Sequence, residues 1–176
     1  MALHVAEIYA AMVAQRRQIL AALGEAPASK LAEDAGLDDR SILGALAHVA
    51  SEEQRAVSHV LRRRPRLSDA EFQRDYLGGE LTLESLECAW GRVAAEMREY
   101  IGREKPYELV FPRQDLGGLP GTPEQVLWGV IMHEMAHLGA LVAACRRLGI
   151  DVPPLAPVDH LRRNPELGRW WMAEQY

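Results

Sequence analysis

The stretch TPEQVLWGVIMHEMAHLGALVAACRRLG, residues 122–149, decides the fold. Thr122 is a helix cap, Pro123 fits the first helical position because a missing N–H costs nothing there, and Gln125 completes a capping box. Val126, Leu127, Val130, Ile131, Met132, Met135, Leu138, Leu141 and Val142 make the following turns apolar nearly all round, and Gly149 supplies a stop. The pattern predicts a helix from Pro123 to Leu148 that belongs in an interior. Two histidines in such a helix, His133 and His137, would each cost roughly 1–3 kcal/mol if buried without partners. Residues four apart stack on one helix face, so the two imidazoles can converge on a single metal ion.

Working outward, helical periodicity recurs along the chain. A first helix is expected from about Leu3 to Leu23 on the stripe Val5, Ile8, Met12, Ile19, Leu20 and Leu23, stopped at Gly24. A small amphipathic piece around Leu31 to Ala35 follows Pro27, and Asp38 or Asp39 is a candidate cap for a second helix, roughly Arg40 to Leu61. Ser68 to Tyr76 reads as a short helical turn before Gly78-Gly79. A third helix is expected from about Leu83 to Ile101, with Leu86, Trp90, Val93 and Met97 at core spacing. Residues 104–121 are broken by Pro and Gly and read as an ordered loop with one extended stretch. The fold class is therefore all-α. The length of 176 residues and the absence of internal repeats fit one domain over 1–176, with a Trp-rich C-terminal extension from about residue 154 that carries Trp170 and Trp171.

Composition narrows the function. A net charge of −5 disfavours a nucleic-acid partner, since binders of phosphate backbones need a basic surface. The one basic run, Arg62-Arg63-Arg64-Pro65-Arg66, lies where a helix ends and reads as cations at a helix C-terminus. No membrane is expected, because the longest uncharged apolar run, Val126 to Met132, is far too short to span one. Cys88 and Cys145 fall on different helices without ligand spacing, and the first 20 residues, with Glu7, Arg16 and Arg17, do not resemble a signal peptide. The expected setting is the reducing cytoplasm.

The third ligand for an ion at His133 and His137 should come from a neighbouring helix. His48 is the candidate, since it lies among Ala45, Leu46, Val49 and Ala56 within the second helix, with Glu52 four residues on to orient the imidazole or contact a bound water. His59 shares that stripe but sits roughly 16 Å further along the axis, too far for the same ion. His4 and His160 read as solvated or capping residues. His133-Glu134-x-x-His137 also matches the zinc-peptidase pattern, in which Glu134 would activate water and Asp159, His160 or Glu166 would complete the site. That reading needs an edge strand beside a cleft, and helices surround the motif. The alternative for Glu134 is a carboxylate facing solvent or an arginine on another helix.

Residues 122–128 and 133–141, followed by Leu148-Gly149-Ile150-Asp151-Val152-Pro153, resemble the last core helix of DinB-like proteins, the superfamily that includes YfiT-like metal-dependent hydrolases and the bacillithiol and mycothiol S-transferases. Residues 41–52, with His48 and Glu52, resemble the second helix of that family. The resemblance covers about residues 3 to 153. Ala136, Leu138 and Ala140 stand where the family often has a further His, an Arg and a Gln, so ligand spacing is kept and the polar surroundings are not. The resemblance implies an up-down-down-up four-helix bundle, often a homodimer, with His48, His133 and His137 as a three-histidine site for one divalent transition metal ion. Imidazoles suit Zn, Ni, Fe and Cu alike. Such an ion activates water or a low-molecular-weight thiol, which leaves hydrolysis and thiol transfer to a small-molecule substrate both open. The rival expectation is a non-catalytic dimeric bundle in which the metal ties two helices and a partner surface carries the function.

Overall fold

The computed structural model describes residues 5–37, 40–103, 111–113 and 117–155. Within them the chain forms α1 (Val5–Gly24), α2 (Ala28–Ala32), α3 (Ile42–Arg55), α4 (Asp69–Leu77), α5 (Leu83–Arg103), β1 (Phe111–Arg113), β2 (Leu119–Gly121) and α6 (Pro123–Arg147). The all-α class holds, with one small hairpin added. Trp170 and Trp171 lie outside the described residues.

Each long helix begins and ends where its chemistry allows. Thr122 accepts from the Gln125 N–H while the Gln125 side chain accepts from the Thr122 N–H, the expected capping box. The cap of α3 is Ser41, whose hydroxyl accepts from the Gly44 N–H; the expected candidates Asp38 and Asp39 lie outside the described residues. The second predicted helix is also divided: α3 stops at Arg55 and residues Ala56–Leu61 form a π-helical segment. Sequence periodicity does not separate a π segment from an α-helix over so few residues. Ser68 and Glu71 close a second capping box on α4, and Gly78 ends that helix with a left-handed φ of 68°. The loop before α6 holds two extended pieces where one was expected: β1 and β2 pair antiparallel in the register Phe111 to Gly121 and Arg113 to Leu119.

Four long helices close a ring of contacts in which α1 and α3 each pack on both α5 and α6. Inside the ring the core is split. One apolar cluster gathers Ile19, Leu23, Leu46, Leu86, Trp90, Leu138 and Leu141; the other gathers Tyr9, Met12, Val57, Val93, Met97, Leu127 and Ile131. Between them, at matching heights on α1, α3 and α6, lie the buried polar residues Gln15 and Arg16, Glu53 and Gln54, and Glu134. By length and composition α6 is long and apolar enough to cross a membrane, because Glu134 is the only formally charged residue between Glu124 and Arg146. Its buried apolar positions face α1 and α3, and its one interior carboxylate is paired inside the protein.

Candidate metal centre

α3 and α6 lie side by side, and their facing edges carry His48 on one and His133 and His137 on the other. The ring centroids are 5.4 Å apart for His48 and His133, 5.0 Å for His48 and His137, and 4.5 Å for His133 and His137. One nitrogen from each ring lies within 4.8 Å of the other two, and all three rings are half-buried. The separation fits a shared ion: metal to imidazole bonds of about 2.0–2.1 Å draw such nitrogens together through small ring rotations.

The rings are also prepared as ligands. Burial lowers the pKa of His48, with the charge of Arg40 and repulsion from His137 adding to it. Burial, then His137 and His48, lowers the pKa of His133. Both therefore offer neutral lone pairs at and below the pH where an ordinary imidazole takes a proton. His59 plays no part in this centre; its Nδ1 lies 2.8 Å from the carbonyl oxygen of Arg64.

Glu134 takes a different direction from its two neighbours. It is 1% exposed and turned toward α1, where Arg16 Nε donates to one carboxylate oxygen and Nη2 to the other, each at 2.7 Å. Of the two bland readings, the arginine on another helix is the one observed. Both oxygens are thus engaged away from the histidines, which removes the water-activating role that a peptidase assigns to this residue. Asp159, His160 and Glu166, the third ligands which that reading needed, lie outside the described residues.

Glu53 completes the buried layer. Its carboxylate is 2.9 Å from Arg16 Nη2, accepts 2.6 Å from Trp90 Nε1 and accepts from the Tyr9 hydroxyl, while the Arg16 guanidinium lies 4.2 Å over the Trp90 ring. One cation is shared by two buried carboxylates. Burial consequently outweighs the attraction of Arg16 at Glu134 and pushes its pKa up to about 7. Sequence reading noticed Arg16 only as a charge within the first helix and passed over Glu53. Only the fold shows that these charges on α1, α3 and α6 face inward.

Glu52 does not hold the imidazole of His48. It pairs with Arg55 one turn on, and acts on His48 and His133 only through its charge. A cavity of about 170 Å³ adjoins His133 and is bounded by Glu52, Arg55, Arg113, Val126 and Val130. A second, of about 290 Å³, adjoins His48 and is bounded by Arg40, Asp69, Phe72 and Leu77.

A family model described as DinB family matches residues 1–166. No curated protein and no solved structure matches the chain.

Proposed function

The chain belongs to the DinB family, and from that premise we propose that it is a metal-dependent enzyme with His48, His133 and His137 as the protein ligands of one divalent transition metal ion. The observation that carries this reading is the convergence of three imidazole nitrogens within 4.8 Å from two helices, beside two cavities. Bound there, such an ion supplies Lewis acidity that lowers the pKa of water or of a low-molecular-weight thiol. The chain's own groups do the rest. α3 and α6 fix the three rings, the cavity walls exclude water from the ligand's apolar part, and Arg16 holds Glu134 away from the ion. The donor set accepts Zn, Ni or Fe, and the substrate is a small molecule of a thiol-transfer or hydrolytic reaction.

The helix contacts support the up-down-down-up four-helix bundle of the family, because α1 and α3 are each flanked by α5 and α6. A homodimer is supported by the outer face of α6, where Met132 is 69% and Trp128 39% exposed. Cys88 is exposed and Cys145 buried, both as free thiols, which suits a reducing cytoplasm.

Metal content of the purified chain tests the site. One equivalent of metal is expected in the wild type and far less in His48→Ala and in His137→Ala; equal content in all three overturns the reading. Turnover of a thiol with an electrophile, dependent on added metal, then separates an enzyme from a bundle in which the ion only ties α3 to α6.

A further inference from the structure

Apolar packing alone does not decide how α6 is turned about its axis. Its buried side carries Val126, Leu127, Ile131, Leu138 and Leu141, yet its exposed positions from Trp128 to Ala143 are uncharged as well. Trp128 is 39% and Met132 69% exposed, so a rotated helix would hide nearly as much apolar surface, and hydrophobic burial is not directional. A metal centre tolerates no such freedom. Side chains reach roughly 5–6 Å from a helix axis, so a turn of about 10° moves an imidazole by about 1 Å. Metal to ligand distances hold to within about 0.2 Å.

The directional element is a single guanidinium. Arg16 Nη2 lies 2.7 Å from Glu134 Oε2 on α6 and 2.9 Å from Glu53 Oε2 on α3, so one nitrogen bridges the two helices that carry the histidines. Its Nε donates to Glu134 Oε1 at 2.7 Å, which makes the grip on α6 two-pronged and fixes an angle as well as a distance. Glu134 is flanked by His133 and is three residues before His137, so that angle is imposed at the height of the ligands themselves. The guanidinium is in turn held 4.2 Å over the Trp90 ring, and Glu53 is held by Trp90 Nε1 and the Tyr9 hydroxyl. Every member of this brace is buried.

We propose that Arg16 is a positioning residue for the three-histidine centre: through Glu53 and Glu134 it braces α3 against α6 and sets the angle at which His133 and His137 meet His48. This rests on the metal-site reading and adds to it a residue that touches neither the ion nor its ligands.

Titration of the full chain with Co²⁺, read by the visible ligand-field bands and by affinity, provides the test. Arg16→Met is compared with Met97→Ala, a truncation in the core on α5, which bears no ligand. By charge alone, loss of a cation beside two carboxylates would tighten binding of Co²⁺, whereas loss of positioning weakens it, so the sign separates the two effects. Folded Arg16→Met should bind about tenfold more weakly or worse, the range in which groups that orient metal ligands act, with altered bands at saturation. Arg16→Lys keeps the charge without the fork and should lose part of the affinity. Met97→Ala should be less stable yet show wild-type bands at saturation. Wild-type bands and affinity in Arg16→Met, tighter binding, or the same band change in Met97→Ala overturn the proposal and leave the metal site standing. If Arg16→Met does not fold by circular dichroism, Arg16→Lys decides, and wild-type bands and affinity there overturn the proposal. A wild type without the bands of bound Co²⁺ overturns the metal reading and this proposal with it.

Discussion

Arg16 on α1 and Glu134 on α6 form a two-pronged ion pair, with Nε to Oε1 and Nη2 to Oε2 both at 2.7 Å and both side chains almost wholly buried. The pair explains why a helix whose interior is otherwise uncharged tolerates a carboxylate between two metal ligands. It also fixes the rotation of α6 about its own axis. With Glu134 held toward α1, His133 and His137 come to the edge that faces α3, where His48 waits.

Removal of the guanidinium should therefore be costly. Arg16→Met leaves Glu53 and Glu134 buried without their shared cation, and broken buried pairs of this kind cost about 3–5 kcal/mol. Arg16→Lys keeps a charge but loses the fork that engages both Glu134 oxygens, so an intermediate loss is expected. Urea denaturation of the metal-free protein measures both. A loss below 1 kcal/mol in Arg16→Met would mean that the layer does not anchor α1 to α6.

The Glu134 carboxyl gives stability a pH dependence of unusual sign. Its folded pKa, about 7, lies above the ordinary value of 4.5, so the folded protein keeps a proton that the unfolded chain has already released. The stabilisation linked to this proton is complete below about pH 4.5 and is lost as pH rises through about 7. Other groups titrate in the same window: His48 and His133 have lowered pKa values and act in the opposite sense, with stability lost as pH falls below about 6.5. Comparison with Glu134→Gln isolates the carboxyl. The stability of the wild type minus that of the variant should shrink between pH 5 and pH 8 in metal-free protein; a difference independent of pH contradicts the shift.

The helices and the three histidines were legible because they obey short-range rules. Apolar spacing located α1, α5 and α6 to within a few residues, and His133 and His137 were joined by nothing more than a four-residue step. Pairing His48 with them needed α3 beside α6, which the lone-histidine argument suggested and the family resemblance supplied. The charged layer was not legible for the converse reason. Arg16, Glu53 and Glu134 are separated by 37 and 81 positions, and nothing local distinguishes an inward charge from an outward one. Gly121 carries the same lesson on a smaller scale: the Arg113 stem lies against it across a hairpin, where a Cβ would meet Arg113 Cδ at 2.3 Å, and the loop's Pro and Gly content announces only that the chain turns.

Glu52 illustrates how a reasonable contact can be missed by one turn. Its spacing from His48 suggested a hydrogen bond to the ring, but the carboxylate is satisfied by Arg55. Loss of a group that orients a ligating histidine typically costs 10–100-fold in metal affinity. Glu52→Gln should fall short of about tenfold, since only a distant charge is removed. Competition with a metal indicator resolves the two cases, and a loss near the upper figure would show that Glu52 turns to the ring when metal binds.

The outer face of α6 provides the last prediction. Met132 and Trp128 stand one turn apart on it, and the neighbouring exposed positions Gly129, Ala136, Gly139, Ala140 and Ala143 are small and uncharged. In an isolated monomer Met132 touches little, so Met132→Lys should alter the stability of the single chain by no more than about 0.5 kcal/mol, as surface changes do. In a dimer closed through this face the same lysine would lie beside its own symmetry mate, because a two-fold interface presents the same patch from both sides. Two ammonium groups would then be desolvated together on an apolar surface. Sedimentation equilibrium should accordingly show a dimer for the wild type and a monomer for Met132→Lys, with helical content and metal uptake unchanged. A wild-type monomer, or a variant dimer of undiminished affinity, would move the dimer contact away from α6 or remove it altogether.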